Sequence, residues 1–239
     1  MSTYATNVAR DGLSASHLLL LQSIPDGSRV LDVGCSEGYL AERLSGRGCA
    51  VVGLELDAVA AQAARAHCRE VWSIDVEDAQ ARQAAGSGFD AVVLGDVLEH
   101  LRDPWDVIAW AASTVRPGGV VAVSVPNAVH WSARREIARG RFPQRDWGTF
   151  DRTHLRWFTR AEARAMVQGA GLALESERFT PAPLPGEPAL RRLLRRADAD
   201  EPPAVVARLR QALANHRPEL FALQFVLTCR ARSPVSGSA

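Results

Sequence analysis

The chain contains no lysine: all 28 of its basic residues are arginine. That excludes a lysine Schiff base, and with it pyridoxal chemistry. It also excludes the phosphate-binding loop of NTPases, whose motif needs its lysine. Cysteine is scarce, and the four present (Cys35, Cys49, Cys68 and Cys229) show no CxxC or other close metal-ligand spacing. They are expected as small buried hydrophobes in a reducing compartment. No run approaches the roughly 18 apolar residues of a membrane span. The first residues, MSTYATNVARDGLSASHLLLLQSIPDG, lack the basic region and long apolar run of a secretory signal. A cytoplasmic globular protein is expected, with no membrane partner. The alanine- and arginine-rich, lysine-free usage suggests a GC-rich bacterial source. At 239 residues, 47% of them hydrophobic, one α/β domain spanning 1–239 can bury a full core.

Net charge is +1, but it is unevenly placed. Residues 1–129 carry 9 Arg against 16 acids, whereas residues 130–239 carry 19 Arg against 11 acids. The front half is acidic and the back half basic.

Apolar runs with strand character fall at 29–34, 50–56, 71–76, 89–96 and 120–126, separated by helical patterns near 37–46, 57–68, 77–85 and 104–116. Gly46, Gly48 and the Pro117-Gly118-Gly119 step supply stop signals. The strands read as continuous apolar runs, as a parallel sheet covered on both faces requires. This βα rhythm predicts a doubly wound sheet. It breaks after Pro126. Residues 128–158 mix Trp, Arg and His. Thr159 and Glu162 then form a capping box that opens a helix to about Gly169. Two more strands are expected at 172–180 and 222–230, separated by a proline- and arginine-rich flap over 181–219. The last residues should be disordered.

VLDVGCSEGYL (30–40) places Asp32 at a strand end, followed by a tight Gly34-to-Gly38 turn and a helix start, where unpaired N–H groups face outward. Glu55, 21 residues after Gly34, ends the second strand, where an acidic side chain can accept bonds from a ribose diol. The spacing is G-x-S-x-G, so the nicotinamide GxGxxG fingerprint does not fit. The serine-hydrolase elbow it mimics lacks the rest of the hydrolase order.

On VLDVGCSEGYL, Glu55 in VVGLELD, Asp75-Val76-Glu77 and FDAVVLGDVLEHLRDP (89–104), residues 29–126 resemble the class I S-adenosylmethionine-dependent methyltransferases. The resemblance implies a Rossmann-like seven-stranded sheet, mostly parallel with an antiparallel last strand, carrying a cap insertion. Residues 1–28 would be an N-terminal helical segment, 29–127 the cofactor half, and 128–158 and 181–219 the substrate cap. It implies S-adenosylmethionine as cofactor, with Asp32, Gly34 and Cys35 along its methionine portion and Gly38 packing the turn. Glu55 and Leu56 would lie at the ribose, Asp75 and Val76 at the adenine, and the backbone at Gly95 at the methionine ammonium. Ser36 stands where many members have glycine, so a slightly altered turn is expected.

Two histidines compete as the catalytic group, His154 in DRTHLRWFT and His100 in DVLEH. A general base matters chiefly for a hydroxyl acceptor. The (Asp/Glu)xxEH pattern with a later histidine is similar to two metal-assisted subgroups, the ubiquinone-pathway O-methyltransferases and the small-RNA terminal 2′-O-methyltransferases. Asp96 replaces the usual glutamate and LEH recurs in metal-free relatives, so no metal is expected. Its ligands would otherwise be Asp96, Glu99, His100 and His154, with 96, 99 and 100 on one helix face. DRTHLRWFT resembles a segment of bacterial methyltransferases from glycan and secondary-metabolite clusters. The expected reaction is O-methylation of a small molecule, a sugar or natural-product intermediate. Alternatives are N-methylation of an amine and 2′-O-methylation of RNA. The interleaved acids argue against nucleic acid. Arg152 and Arg156, with Asn127 and His130, are the candidate substrate-binding residues, and the arginines suit an anionic acceptor.

Overall fold

The computed structural model describes residues 13–187 and 204–232. A first helix, α1 (Ala15–Ser23), is opened by Ser14, whose hydroxyl accepts from the His17 amide. There follow β1 (Arg29–Val33), α2 (Tyr39–Ser45), β2 (Ala50–Glu55), α3 (Ala58–Ala64), β3 (Glu70–Ser73), β4 (Phe89–Gly95), α4 (Pro104–Thr114) and β5 (Val115–Pro126). The back half adds α5 (Trp131–Ala138), α6 (Arg160–Gly169), β6 (Leu172–Pro181), α7 (Ala204–His216), α8 (Pro218–Phe221) and β7 (Ala222–Ala231).

The seven strands form one sheet in the order β3-β2-β1-β4-β5-β7-β6. The first five pair in parallel, and β7 runs antiparallel to both β5 and β6. Alternate residues feed two cores because the strand repeat is two. Leu31, Val33, Val92 and Leu94 face one layer with Ile108 and Phe225. Val30, Ala91 and Val93 face the other with Leu20 and Leu44. Both faces are covered, which is why the strands read as unbroken apolar runs. Among the described residues, no helix is long and apolar enough to cross a membrane.

Three expectations need correction. The helix expected at 77–85 is only a short 3₁₀ turn over Ala81–Ala85. Asp75 accepts from the Glu77 amide and Asp78 from those of Gln80 and Ala81, and such local side-chain bonds compete with a helix. Pro117-Gly118-Gly119 does not delay the next strand. β5 starts at Val115 and runs through it, with a register shift against β4 between Phe89 and Ala91. Of the flap over 181–219, α7 packs on β6 and β7, and none of its residues lines the cleft described below. Residues 188–203 of the flap, residues 1–12 of the N-terminal segment and the tail expected to be disordered lie outside the described residues. The capping box holds: Thr159 accepts from the Glu162 amide, and Glu162 accepts from that of Thr159.

Candidate active site

The carboxyl ends of β1 to β4 open into a cleft of about 1300 Å³. All the cofactor candidates line it except Gly38, which sits behind the turn. Gly34 has φ of 70°, and a Cβ there would lie 2.5 Å from Val97 Cγ2, so only glycine fits. Gly38 has φ of 85°, and a Cβ there would meet the Ala64 backbone at 3.1 Å. Ser36 adopts φ of 48°, left-handed without being glycine. Its amide donates to Glu55 Oε2 at 2.9 Å, while the Asp57 amide donates to Oε1 at 2.9 Å. Glu55 is thereby fixed at the cleft, and each oxygen retains acceptor capacity.

Asp32 is buried, its Oδ2 has no partner, and burial followed by the charge of Glu55 pushes its carboxyl up to about 7. An orphaned buried carboxylate oxygen facing a glycine-lined cleft fits a cationic ligand with donors of its own, as the S-adenosylmethionine implied by the resemblance would be. Beside Asp75 and Val76, Glu77 is fixed by the Asp103 amide at 2.8 Å and Arg102 Nε at 3.1 Å. Although burial opposes it, those bonds hold the Glu77 carboxyl below the usual range.

The second constellation faces the same cleft. Glu99, His100 and His154 place ligand atoms within 4.8 Å of one another. The two imidazoles stack edge-on with centroids 4.8 Å apart. The DRTHLRWFT loop is fastened to the LEH turn by the Leu155 and Arg156 amides, which donate to Glu99 O at 2.8 and 3.0 Å. That clamp, between residues more than fifty positions apart, brings His154 over His100. Burial, then the neighbouring His100, holds His154 below the usual imidazole range. Burial, then Asp96, pushes Glu99 well above the carboxylate range, and its Oε2 has no partner. Partial burial of Asp151 is overcome by bonds from the Thr153 hydroxyl and amide, which keep its carboxyl low. One orphaned carboxylate oxygen and two imidazoles are a donor set that fits a divalent ion.

Asp96 does not join them, and 96, 99 and 100 do not share one helix face. LEH is a single 3₁₀ turn over Leu98–His100, with Asp96 before it at φ of 55°. The Asp96 carboxylate accepts from Ser124 Oγ at 2.6 Å, Gln224 Nε2 at 2.9 Å and Ser16 Oγ at 3.3 Å. The sequence reading missed Ser16, His17, Trp147 and Gln224, and all but Ser16 line the cleft. Burial holds His17 below the usual imidazole range against the pull of Asp96. Trp147 is 68% exposed.

The substrate-binding candidates separate. Arg152 lines the cleft but is ion-paired with Asp146. Arg156 lies outside it, donating to Arg102 O and lying 6.0 Å over the Trp105 ring. Asn127 is fully buried and ties Ala222 O, Pro218 O and Glu219 O to the end of β5. His130 caps α5, with its pKa lowered to about 4 by burial. Neither Asn127 nor His130 reaches the cleft.

A family of methyltransferase domains matches residues 4–177. The chain is 37% identical over 155 residues to the ubiquinone biosynthesis O-methyltransferase of Thiobacillus denitrificans, covering 62% of this chain and 66% of that one. It is 33% identical over 157 residues to the enzyme of the same name from Xanthomonas axonopodis pv. citri, covering 63% and 65%. The chain thus spans just under two thirds of the length of these relatives. The fold is similar to S-adenosylmethionine-dependent methyltransferases from Archaeoglobus fulgidus (TM-score 0.61, 15% identity, 96% of this chain and 100% of that one) and Mesorhizobium loti (TM-score 0.59, 17%, 91% and 98%).

Proposed function

From the premise that the chain belongs to the class I S-adenosylmethionine-dependent methyltransferases, we propose that it O-methylates a small molecule, with His154 as the general base. The observation that carries this reading is that the Glu99–His100–His154 cluster opens onto the same cleft as Asp32, Glu55 and Asp75. When bound, S-adenosylmethionine supplies a methyl group on a positively charged sulfur. Asp32 and the Gly34 turn would hold its methionine portion, Glu55 its ribose, and Asp75 with Val76 its adenine.

His154 is held below the usual imidazole range, so at neutral pH it is the free base and can take the proton of an acceptor hydroxyl. His100 and the Thr149 carbonyl, 3.4 Å from Nδ1, orient its ring. Alignment of acceptor and methyl supplies most of the barrier reduction, about 7–11 kcal/mol in well-oriented systems. The base adds about 10²–10⁴-fold.

The acceptor reading shifts from anionic to uncharged. Arg152 and Arg102, the arginines on the cleft, are paired with Asp146 and Glu77, while Asp96 and Asp151 keep the acceptor end acidic. Trp147, Leu155 and Leu223 offer it an apolar wall. The RNA alternative weakens likewise, because Arg141, Arg160 and Arg230 pair with Glu136, Glu177 and Glu175.

A second reading, favoured by the orphaned Glu99 Oε2, is metal-assisted. Glu99, His100 and His154 would hold a divalent ion that lowers the pKa of the acceptor hydroxyl.

Methyl transfer to matched hydroxyl and amine acceptors tests the proposal. Hydroxyl turnover that falls in His154→Ala and recovers at high pH supports it. Turnover of the amine alone, indifferent to His154→Ala, overturns it. Turnover abolished by a chelator and restored by added metal selects the second reading.

A further inference from the structure

Gly53 lies in the middle of β2, where glycine weakens a strand by about 0.5–1 kcal/mol relative to alanine. Its backbone needs no left-handed angle. The reason for glycine is space. A Cβ at this position would lie 2.6 Å from Cys35 Sγ and 3.3 Å from Cys68 Sγ. Two sulfurs therefore converge on one missing side chain. Cys49 and Cys229 are placed differently, Cys49 facing Pro25 O and Cys229 within β7.

We propose that Cys35 and Cys68 form an oxidation site, a thiol pair that closes to a disulfide beside the cofactor-binding turn and weakens cofactor binding. Cys35 is buried and lines the cleft, whereas Cys68 follows α3 and is partly exposed. Both thiols are free in this structure. The Cys68 thiol beside it, and then burial, push the Cys35 thiol far above its ordinary range, which leaves Cys68 to react first.

The oxidant is a peroxide. Attack by Cys68 sulfur forms an S–O bond and breaks the O–O bond, leaving a sulfenic acid and one water. Cys35 sulfur then attacks that sulfur. The S–S bond forms, the S–O bond breaks, and the departing hydroxide leaves as water with the Cys35 proton. Two thiols and one hydrogen peroxide become one disulfide and two waters. A thiol donor reverses it.

The consequence follows from the position of Cys35. Its amide and that of Gly34 donate to Leu54 O at 3.0 and 2.8 Å, and the next residue, Ser36, is held by Glu55. Drawing Cys35 toward Cys68 pulls on the Gly34–Gly38 turn, against which the methionine portion of the cofactor would lie. This effect on binding rests on the cofactor reading above. The bond itself does not, so the two are measured separately.

The full chain is treated with hydrogen peroxide, its remaining thiols are alkylated, and peptides are mapped by mass. S-adenosylhomocysteine binding is titrated calorimetrically before oxidation, after it, and after dithiothreitol. The expected result is a Cys35–Cys68 peptide lighter by two hydrogens, with Kd raised at least about tenfold and restored on reduction. Cys68→Ser, with Cys68→Ala as a second variant, should bind S-adenosylhomocysteine normally and lose its peroxide sensitivity. Absence of the cross-linked peptide overturns the proposal. So does a cross-link that leaves Kd unchanged, or peroxide sensitivity that persists at the wild-type level in both variants. Failure of the untreated protein to bind S-adenosylhomocysteine would instead overturn the cofactor reading.

Discussion

Asp32→Asn should make the ligand-free protein more stable while removing its grip on the cofactor. Asp32, next to last in β1, is buried with Oδ2 unpartnered and Glu55 close by, and its carboxyl is pushed from 3.8 up to about 7. In the unfolded chain it returns to 3.8. A group whose folded pKa is raised contributes its full stability below the unfolded pKa, and that contribution is lost as pH rises to the folded value. Three pKa units at 1.36 kcal/mol each come to about 4 kcal/mol, lost between about pH 4 and pH 7. Asparagine carries no charge and escapes this loss, while any packing cost of the substitution is the same at every pH. The measurement is urea unfolding of both proteins without ligand, at about pH 5 and pH 8. Relative to wild type, the variant should gain about 2–3 kcal/mol between the two pH values. Calorimetry should show its S-adenosylhomocysteine affinity reduced. A difference between the two proteins that is the same at both pH values would refute the assignment of Asp32 as a strained acid held for a cationic ligand.

Glu55→Ala should weaken S-adenosylhomocysteine binding by about 1–3 kcal/mol, because the ribose loses its acceptor and the Ser36 amide loses its own; unchanged affinity would remove the end of β2 from the site. The acid limb of kcat/KM should fall below 6.5, since a lowered His154 stays neutral to more acidic pH; a limb at or above 6.5 would exclude it as the base. Arg156→Ala should lower Tm and leave the acceptor KM alone, because its contacts are Arg102 O and the Trp105 ring. A tenfold rise in KM with Tm unchanged, about 1.4 kcal/mol, would return it to the substrate. His130, neutral in the fold with its pKa lowered to about 4, should destabilise the protein as pH falls from 6.5 toward 4, by up to about 3 kcal/mol; in urea unfolding a His130→Gln variant should lack that slope, and a slope equal to wild type would contradict its burial as the cause.

What the sequence shows directly is whatever a short window of residues determines. Continuous apolar runs located the strands to within a few residues, because covering both sheet faces leaves no polar alternation to obscure them. The capping box located α6 because its bonds close within four residues. The proposed cofactor edge has the same local character, since Gly34, Glu55, Asp75 and Gly95 each stand at or just beyond a strand end and line one cleft. Failures begin where a side chain is taken up by a partner, near or distant, that the motif does not name. Asn127 and His130 have the side chains of a substrate site. Yet one spends its amide on carbonyls about ninety residues away and the other on capping its own helix. Arg152 and Arg156 suited an anion only until Asp146 and Arg102 O met them.

Asp96 shows why the acceptor end resists such reading most. Its acidic identity beside LEH suggested a metal ligand, and no local pattern contradicts that. What redirects it is Ser16 from α1, 80 positions earlier, and Gln224 from β7, 128 positions later. Closing a left-handed, non-glycine residue at the end of β4 costs on the order of 1–3 kcal/mol. Donors from three separate elements offset that cost only after the sheet has assembled. The last of them, Gln224, lies beyond the residues 4–177 that match the family. The residues proposed to hold the cofactor, from Asp32 to Gly95, all lie within that match. The proposed acceptor end, which has Trp147 and His154 inside the match, is completed by Leu223 and Gln224 on a strand outside it, and that strand is where the choice of acceptor should be sought.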